Sequence, residues 1–250
     1  GDVGKIVRNW TQKAPGVFGL DMPGHNAVLL AREGLQNSWD SADDRRRDDP
    51  TAPSFKATFR FLSLTGKEKK AFVEATKLKI LADRAEKLDP SKTVIQDPEV
   101  FATLDDPNQP LKIMQLIETG TTGMSGPWEG SKSRMFLAMK SVSFTAKRSG
   151  LGGSYGLGKA GLIRASGIRA VFGYTVFQPD KQSSEDVTRR FLGMTYWSQH
   201  ELEGTDYTGW VSFADPDNEG RPLNDESADR MAEKLNIEVR DPQRADEIGS

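Results

Sequence analysis

The chain has 250 residues, of which 36% are hydrophobic and 28% charged, with a formal net charge of −2. That length can bury a self-sustaining core as one domain, and the near-balance of charge excludes a whole-domain basic footprint for nucleic acid. The absence of cysteine excludes disulfides and thiolate chemistry, two histidines are too few for a multi-histidine metal site, and no apolar run approaches the roughly 20 residues that cross a bilayer.

In chain order, Gly1–Asp21 reads as an N-terminal arm or short strand around Trp10, Val17, Phe18 and Leu20. Pro23 to Asn26 form a turn, with Asn26 as N-cap of a helix over Ala27–Ala42. The run Asp43–Asp49 nearly cancels its own charge and reads as a solvated helix end. Phe55–Leu64 alternates and is rich in phenylalanine, as a half-buried strand is. Lys67–Leu88 carries helical periodicity up to the stop at Asp89-Pro90. Leu111–Ile117 suits a buried strand that delivers Glu118 to a polar glycine turn, and Ser131–Lys147 reads as a helix. After the glycine-dense stretch to Gly161, Leu162–Ala165 is helical again. Three strand candidates follow, Ile168–Gln178, Arg190–Trp197 and Trp210–Phe213, with Asp180–Asp186 as an exposed hairpin loop, and a helix near Asp225–Leu235 closes the series. This order predicts an α/β or α+β sandwich.

Three stretches can carry chemistry. In the first helix, 3, 4, 4, 3 spacing sets Val28, Ala31, Leu35, Trp39 and Ala42 on one side and Glu33, Gln36, Asn37 and Asp40 on the other. Glu33 and Asn37 are one turn, about 5.4 Å, apart on the same face, where a carboxylate can activate water and an amide oxygen can hold a cation; an ordinary solvated face has the same pattern. Glu118, at a strand end, can accept hydrogen bonds from an exocyclic amine, with Gly120 and Gly123 letting a flat ring approach the backbone; a plain connection is the alternative. The segment Gly150–Gly161 holds six glycines in twelve positions before a helix, a composition that lets backbone amides converge on an anion such as phosphate. It is not a Walker A motif, since Ala160 follows Lys159, nor a strong Rossmann fingerprint.

Together the three stretches resemble the GHKL ATPases, the Bergerat-fold superfamily of gyrase, ninety-kilodalton heat-shock chaperones, histidine kinases and MutL, with most similarity to bacterial stand-alone ATP-binding proteins. Glu33, Asn37 and Asp40 match the spacing of that family's first box, Glu118 to Met124 resembles its D-x-G-x-G-M box, and Gly153-Ser154-Tyr155-Gly156-Leu157-Gly158-Lys159 resembles its lid. The resemblance covers about Val17 to Arg240. It implies a two-layer sandwich, a mixed, largely antiparallel sheet with helices on one face, as a single ATP-binding domain in which residues 50–110 form a strand and helix insertion. It further implies Glu33 as general base, Asn37 as Mg²⁺ ligand, and Asp40 in support. Glu118 takes the adenine amine, Gly120, Gly123 and Met124 line the base, and the amides of Gly153 to Gly158 close over the phosphates of ATP with catalytic Lys159.

Two departures stand out. Glu118 occupies an Asp position, which moves the carboxylate by about 1.5 Å, and its spacing to the glycines is one residue longer. The family's closing strand opens with Gly-Thr and brings a hydroxyl near the phosphates, whereas this sequence reaches Gly249-Ser250; a longer protein is expected. The activity implied is slow, Mg²⁺-dependent ATP hydrolysis that drives lid closure, with a homodimer or partner protein as output, nucleic acid reached only through a partner or missing region, no membrane, a cytoplasmic setting, and antiviral defence in bacteria as a context. A nucleotide-gated scaffold without hydrolysis is the alternative. His25 and His200 are assigned no role. Arg164, Arg169, Arg189 and Arg190 are expected to be unpaired surface arginines, and Trp197, Tyr207 and Trp210 to be core packing.

Overall fold

The computed structural model describes residues 26–89, 94–128, 133–140, 158–179, 185–218 and 220–250. The expected N-terminal arm, most of the lid glycines and the far half of the Ser131–Lys147 helix lie outside them. The chain opens on helix α1 (Asn26–Asp48), continues through strand β1 (Lys56–Leu64) and helices α2 (Gly66–Thr76), α3 (Leu78–Glu86) and α4 (Glu99–Ala102), and returns as β2 (Leu111–Thr119). Helices α5 (Arg134–Met139) and α6 (Gly158–Ala165) precede β3 (Ala170–Val176) and β4 (Arg189–Thr195). Short strands β5 (His200–Leu202), β6 (Thr205–Tyr207), β7 (Ser212–Phe213) and β8 (Leu223–Asn224) lead to α7 (Asp225–Lys234). The periodicity over Lys67–Leu88 thus belongs to two helices, because Lys77 adopts a left-handed conformation, φ 56°, between them.

β1 and β2 are antiparallel in a register that pairs Lys56 with Thr119 and Leu64 with Leu111. β4 pairs antiparallel with β3, β7 and β8. The last three residues join the two sets. Glu118 N–H donates to Ser250 O (2.7 Å) and Gly120 N–H to Ile248 O (3.0 Å), while Val176 and Gly249 exchange backbone bonds of 2.8 and 3.0 Å. The chain mixes helices with strands, and every described strand pair is antiparallel.

Hydrophobic clusters lie on both faces of this sheet. Leu64, Leu111, Tyr174, Val176, Phe191 and Trp197 pack with Phe72, Val73, Leu78 and Leu81 of α2 and α3 and with Ala228, Met231 and Ala232 of α7. Leu192, Met194 and Tyr196 point the other way, to Met135, Met139 and Ile163 of α5 and α6. The expectation of helices on one face is therefore corrected to helices on both. The cause is legible in β4, whose consecutive residues Phe191 and Leu192 are both fully buried, so each face needs a cover.

Lys69 anchors the second cover. It is 2% exposed, and its Nζ donates to the carbonyls of Thr103 (2.5 Å), Asp106 (2.8 Å) and Gln109 (2.7 Å), tying α2 to the loop that launches β2. Lys69→Met leaves three carbonyls without their donor and is expected to cost about 3 kcal/mol in denaturant unfolding.

The arginines are not free surface groups. Arg169 donates to Val94 O and Ile163 O (both 3.0 Å), Arg190 to Gly126 O and Glu185 (both 2.7 Å), and Arg189 pairs with Asp229 at 2.9 Å. Arg164, Arg169 and Arg190 are all buried. A guanidinium presents five donors on a flexible stem and so can staple interior carbonyls, a role that sequence spacing does not reveal. Trp197 is core as expected, its indole donating to Ile168 O, while Tyr207 and Trp210 are half-buried. His200 clamps the β5–β6 hairpin. Its Nε2 accepts from Arg84 Nε (3.1 Å) and Nη2 (2.9 Å), its Nδ1 bonds Ser198 O (2.8 Å), and burial holds its pKa below the usual imidazole value.

Candidate functional site

α1 lies on the face of the sheet that carries Leu116 and Glu118, and its contact line is made of small residues. A side chain at Gly34 would press on Leu116, Ser38 donates to Gly34 O (2.9 Å), and Ala42 is fully buried. Trp39, expected on the inward side, is instead 54% exposed, packed edge-on against Phe55 and under Arg46. The apolar side read from spacing is therefore rotated: close approach of helix to sheet favours Gly, Ser and Ala over Trp. Arg45 also departs from a solvated helix end, because it donates to Thr121 O (3.0 Å) and Ala245 O (2.7 Å).

The rotation of α1 fixes the polar line beside the contact. Ser41 bonds Thr122 through their hydroxyls at 2.8 Å, and Asn37 precedes Ser41 by one turn; the Glu33 side chain lies outside the described residues. Asn37 is half-buried, and its carboxamide makes no hydrogen bond with any described residue. Asp40 is half-buried too, its carboxyl raised by desolvation and then by Asp44 and Asp43.

At the end of β2, Glu118 is half-buried as a residue and its carboxyl is enclosed by hydroxyls. Thr121 Oγ1 donates to it at 3.4 Å, and Ser38 and Ser250 also reach it. Loss of hydration dominates and holds its pKa above the usual carboxylate value, against those hydroxyls and the Arg240 charge. Arg240 Nη1 meanwhile donates to Glu118 O at 3.0 Å. The Ser250 hydroxyl lies beside Glu118 and donates to Thr175 Oγ1 at 3.1 Å. Gly249 must be glycine: a Cβ there would collide with the Glu118 carbonyl. Gly249→Ala is expected to expel this segment from between β2 and β3 and cost about 3 kcal/mol, read from thermal melts.

Gly120 (φ 76°) and Gly123 (φ 62°) take the left-handed region, and their open sides are filled by Ser54 and by Val176 and Thr175. They are used for protein contact rather than left bare for a ring. Met124 N–H is held by Thr175 Oγ1 (2.8 Å), and its methyl faces Gly173 and Met139. Thr175, which also donates to Gly249 O (3.1 Å), and the serines Ser38, Ser41 and Ser250 were not among the sequence candidates. The available signal for Thr175 was a small hydroxyl side chain within an otherwise bulky, apolar strand.

α6, which begins at Gly158-Lys159, packs against α1. The backbone thereby brings α1, the end of β2 and α6 together on one face. Gly153, Ser154, Tyr155, Gly156 and Leu157 lie outside the described residues. Among the described residues no group of three or more His, Cys, Asp or Glu side chains could hold a metal ion. No helix of the described residues is long and apolar enough to cross a membrane. No protein-family model, curated protein or solved structure matches the chain.

Proposed function

We propose that the chain is a GHKL-type module that binds Mg-ATP between α1 and the sheet and hydrolyses it slowly, closing the glycine segment over the phosphates to switch a dimer or partner contact. The observation that carries the reading is the convergence of α1, the Glu118 turn and α6 on one face. In this reading Glu118 accepts the adenine amine, and Asn37, with a carboxamide uncommitted to any described residue, supplies an oxygen to Mg²⁺ whose other ligands are phosphate oxygens and water. Glu33, one turn earlier, polarises the attacking water, and Lys159 with the α6 N-terminus neutralises phosphate charge.

A scaffold that binds nucleotide without turnover is the second reading, and the longer Glu118 side chain favours it, since a displaced base displaces the terminal phosphate from the water. Phosphate release measured on the 250-residue chain with saturating Mg-ATP separates the two: turnover that depends on Glu33 supports hydrolysis, and binding without release supports the scaffold.

A further inference from the structure

Two basic side chains meet at the foot of the β5–β6 hairpin with no carboxylate of the described residues between them. Arg84 of α3 points Nε and Nη2 at His200 Nε2, at 3.1 and 2.9 Å, while His200 Nδ1 bonds Ser198 O at 2.8 Å. A guanidinium only donates and a carbonyl only accepts. The imidazole is therefore neutral, with its proton on Nδ1 and a lone pair on Nε2 that takes both Arg84 bonds. Protonation replaces that lone pair with an N–H and sets two cations in contact.

The rest of the hairpin's hold on α3 depends on the same contact. The Arg84 guanidinium lies over the Tyr207 ring of β6, 4.4 Å from its centroid, so a displaced Arg84 gives up that stack as well. Lys87 and Glu203, paired at 2.9 Å, are both exposed, and such a pair contributes little. Of the charged groups around the imidazole, Arg84 is the one that acts on it; Glu201 and Asp206 of the hairpin and Asp83 and Glu86 of α3 are exposed. The Tyr207 and Trp197 rings flank it at 5.9 and 6.5 Å. A two-stranded hairpin is marginal in water once detached.

We infer that the β5–β6 hairpin is a proton-released flap: protonation of His200 turns its Arg84 contact into repulsion, frees the hairpin from α3 and uncovers Trp197, which is 2% exposed when the flap is shut. Histidine is the side chain whose ordinary titration falls near neutrality. Burial, and after it the Arg84 charge, holds this one below its usual 6.5 against the Ser198 bond. The shut form therefore gains its full contribution above the unfolded-state value and loses it as pH falls through the folded-state one.

The test follows the imidazole by NMR titration and the hairpin amides by hydrogen exchange from pH 5 to 8, with each exchange rate divided by the unstructured-chain rate at that pH. It uses the wild-type chain, His200→Gln and Arg84→Met; His200→Gln distinguishes the His200 signal from that of His25. In the wild type His200 should titrate below 6.5, and protection of Leu202 to Tyr207 should fall by up to roughly tenfold per pH unit between 6.5 and that lower value, while β3 and β4 keep theirs. Arg84→Met, which removes the repelling charge, should protect the hairpin less at pH 8, depend less on acid and let His200 titrate higher. In His200→Gln no proton is taken up, so protection should not vary with pH, whether or not the carboxamide oxygen restores the Arg84 contact. Protection that still falls with acid in His200→Gln, a wild-type imidazole that titrates at 6.5 or above, or a wild-type hairpin equally protected across the range would each overturn the flap.

Discussion

Glu118→Gln is expected to weaken ATP binding roughly tenfold to hundredfold, the worth of a charge-assisted over a neutral hydrogen bond, while raising the melting temperature at neutral pH. Both effects come from one feature, a carboxyl enclosed between α1, the Gly120 turn and Ser250, whose pKa is raised because burial removes its hydration. In the ligand-free chain the neutral form is the comfortable one. Its stability contribution is therefore complete below the unfolded-state pKa of about 4.3 and is lost as pH rises through the higher folded-state value. Above that window the wild type carries the cost of an ionised buried group, and the glutamine variant does not. An adenine amine donates to the ionised form, so wild-type affinity should fall on acidification through the same window, whereas the variant's should be flat. Melts and calorimetric titrations across pH 4 to 8 read both. A variant less stable than wild type at pH 7 with unchanged affinity would mean that Glu118 is a structural residue.

Glu33→Ala is expected to lower turnover by about 10²-fold or more, the usual worth of a positioned general base, while leaving ATP binding nearly intact. The prediction rests on how α1 is held. Gly34 seats the helix on Leu116 of β2, Ala42 is fully buried, and the Ser41–Thr122 bond holds its rotation; Glu33 precedes Asn37 by four residues in that helix. Single-turnover phosphate release, with binding measured in parallel, separates loss of chemistry from loss of affinity. Turnover that survives in Glu33→Ala assigns the base elsewhere. Ser41→Ala offers a control, since it touches no expected ligand: loosening the helix should reduce turnover by a smaller factor.

Much of the chain order was readable because periodicity and punctuation are local. β1, β2, β3 and β4 announced themselves by alternation or by apolar runs, and α1 and α7 by their helical spacing. What sequence could not supply was depth. Trp39 looked like an inward residue from its register, yet the helix approaches the sheet too closely for an indole and seats glycine, serine and alanine instead. The arginines looked like surface because arginine mostly is, and only tertiary contacts reveal carbonyls waiting for Arg169 and Arg190. The second layer of helices was hidden for a similar reason: a fully apolar strand such as β4 states that both faces are covered without stating by what. Glu118 was legible as a carboxylate at a strand end, whereas the hydroxyls around it come from α1, the turn and the C-terminal segment, and sequence proximity joins only Thr121 to it.

The most direct measurement is a calorimetric titration of ATP into the 250-residue chain with Mg²⁺ and with chelator, repeated on Asn37→Ala. One saturable site per chain, tighter with Mg²⁺ in the wild type and indifferent to the metal in Asn37→Ala, is the predicted result. No binding of any adenine nucleotide at millimolar concentration, under conditions where the chain is folded, would contradict it.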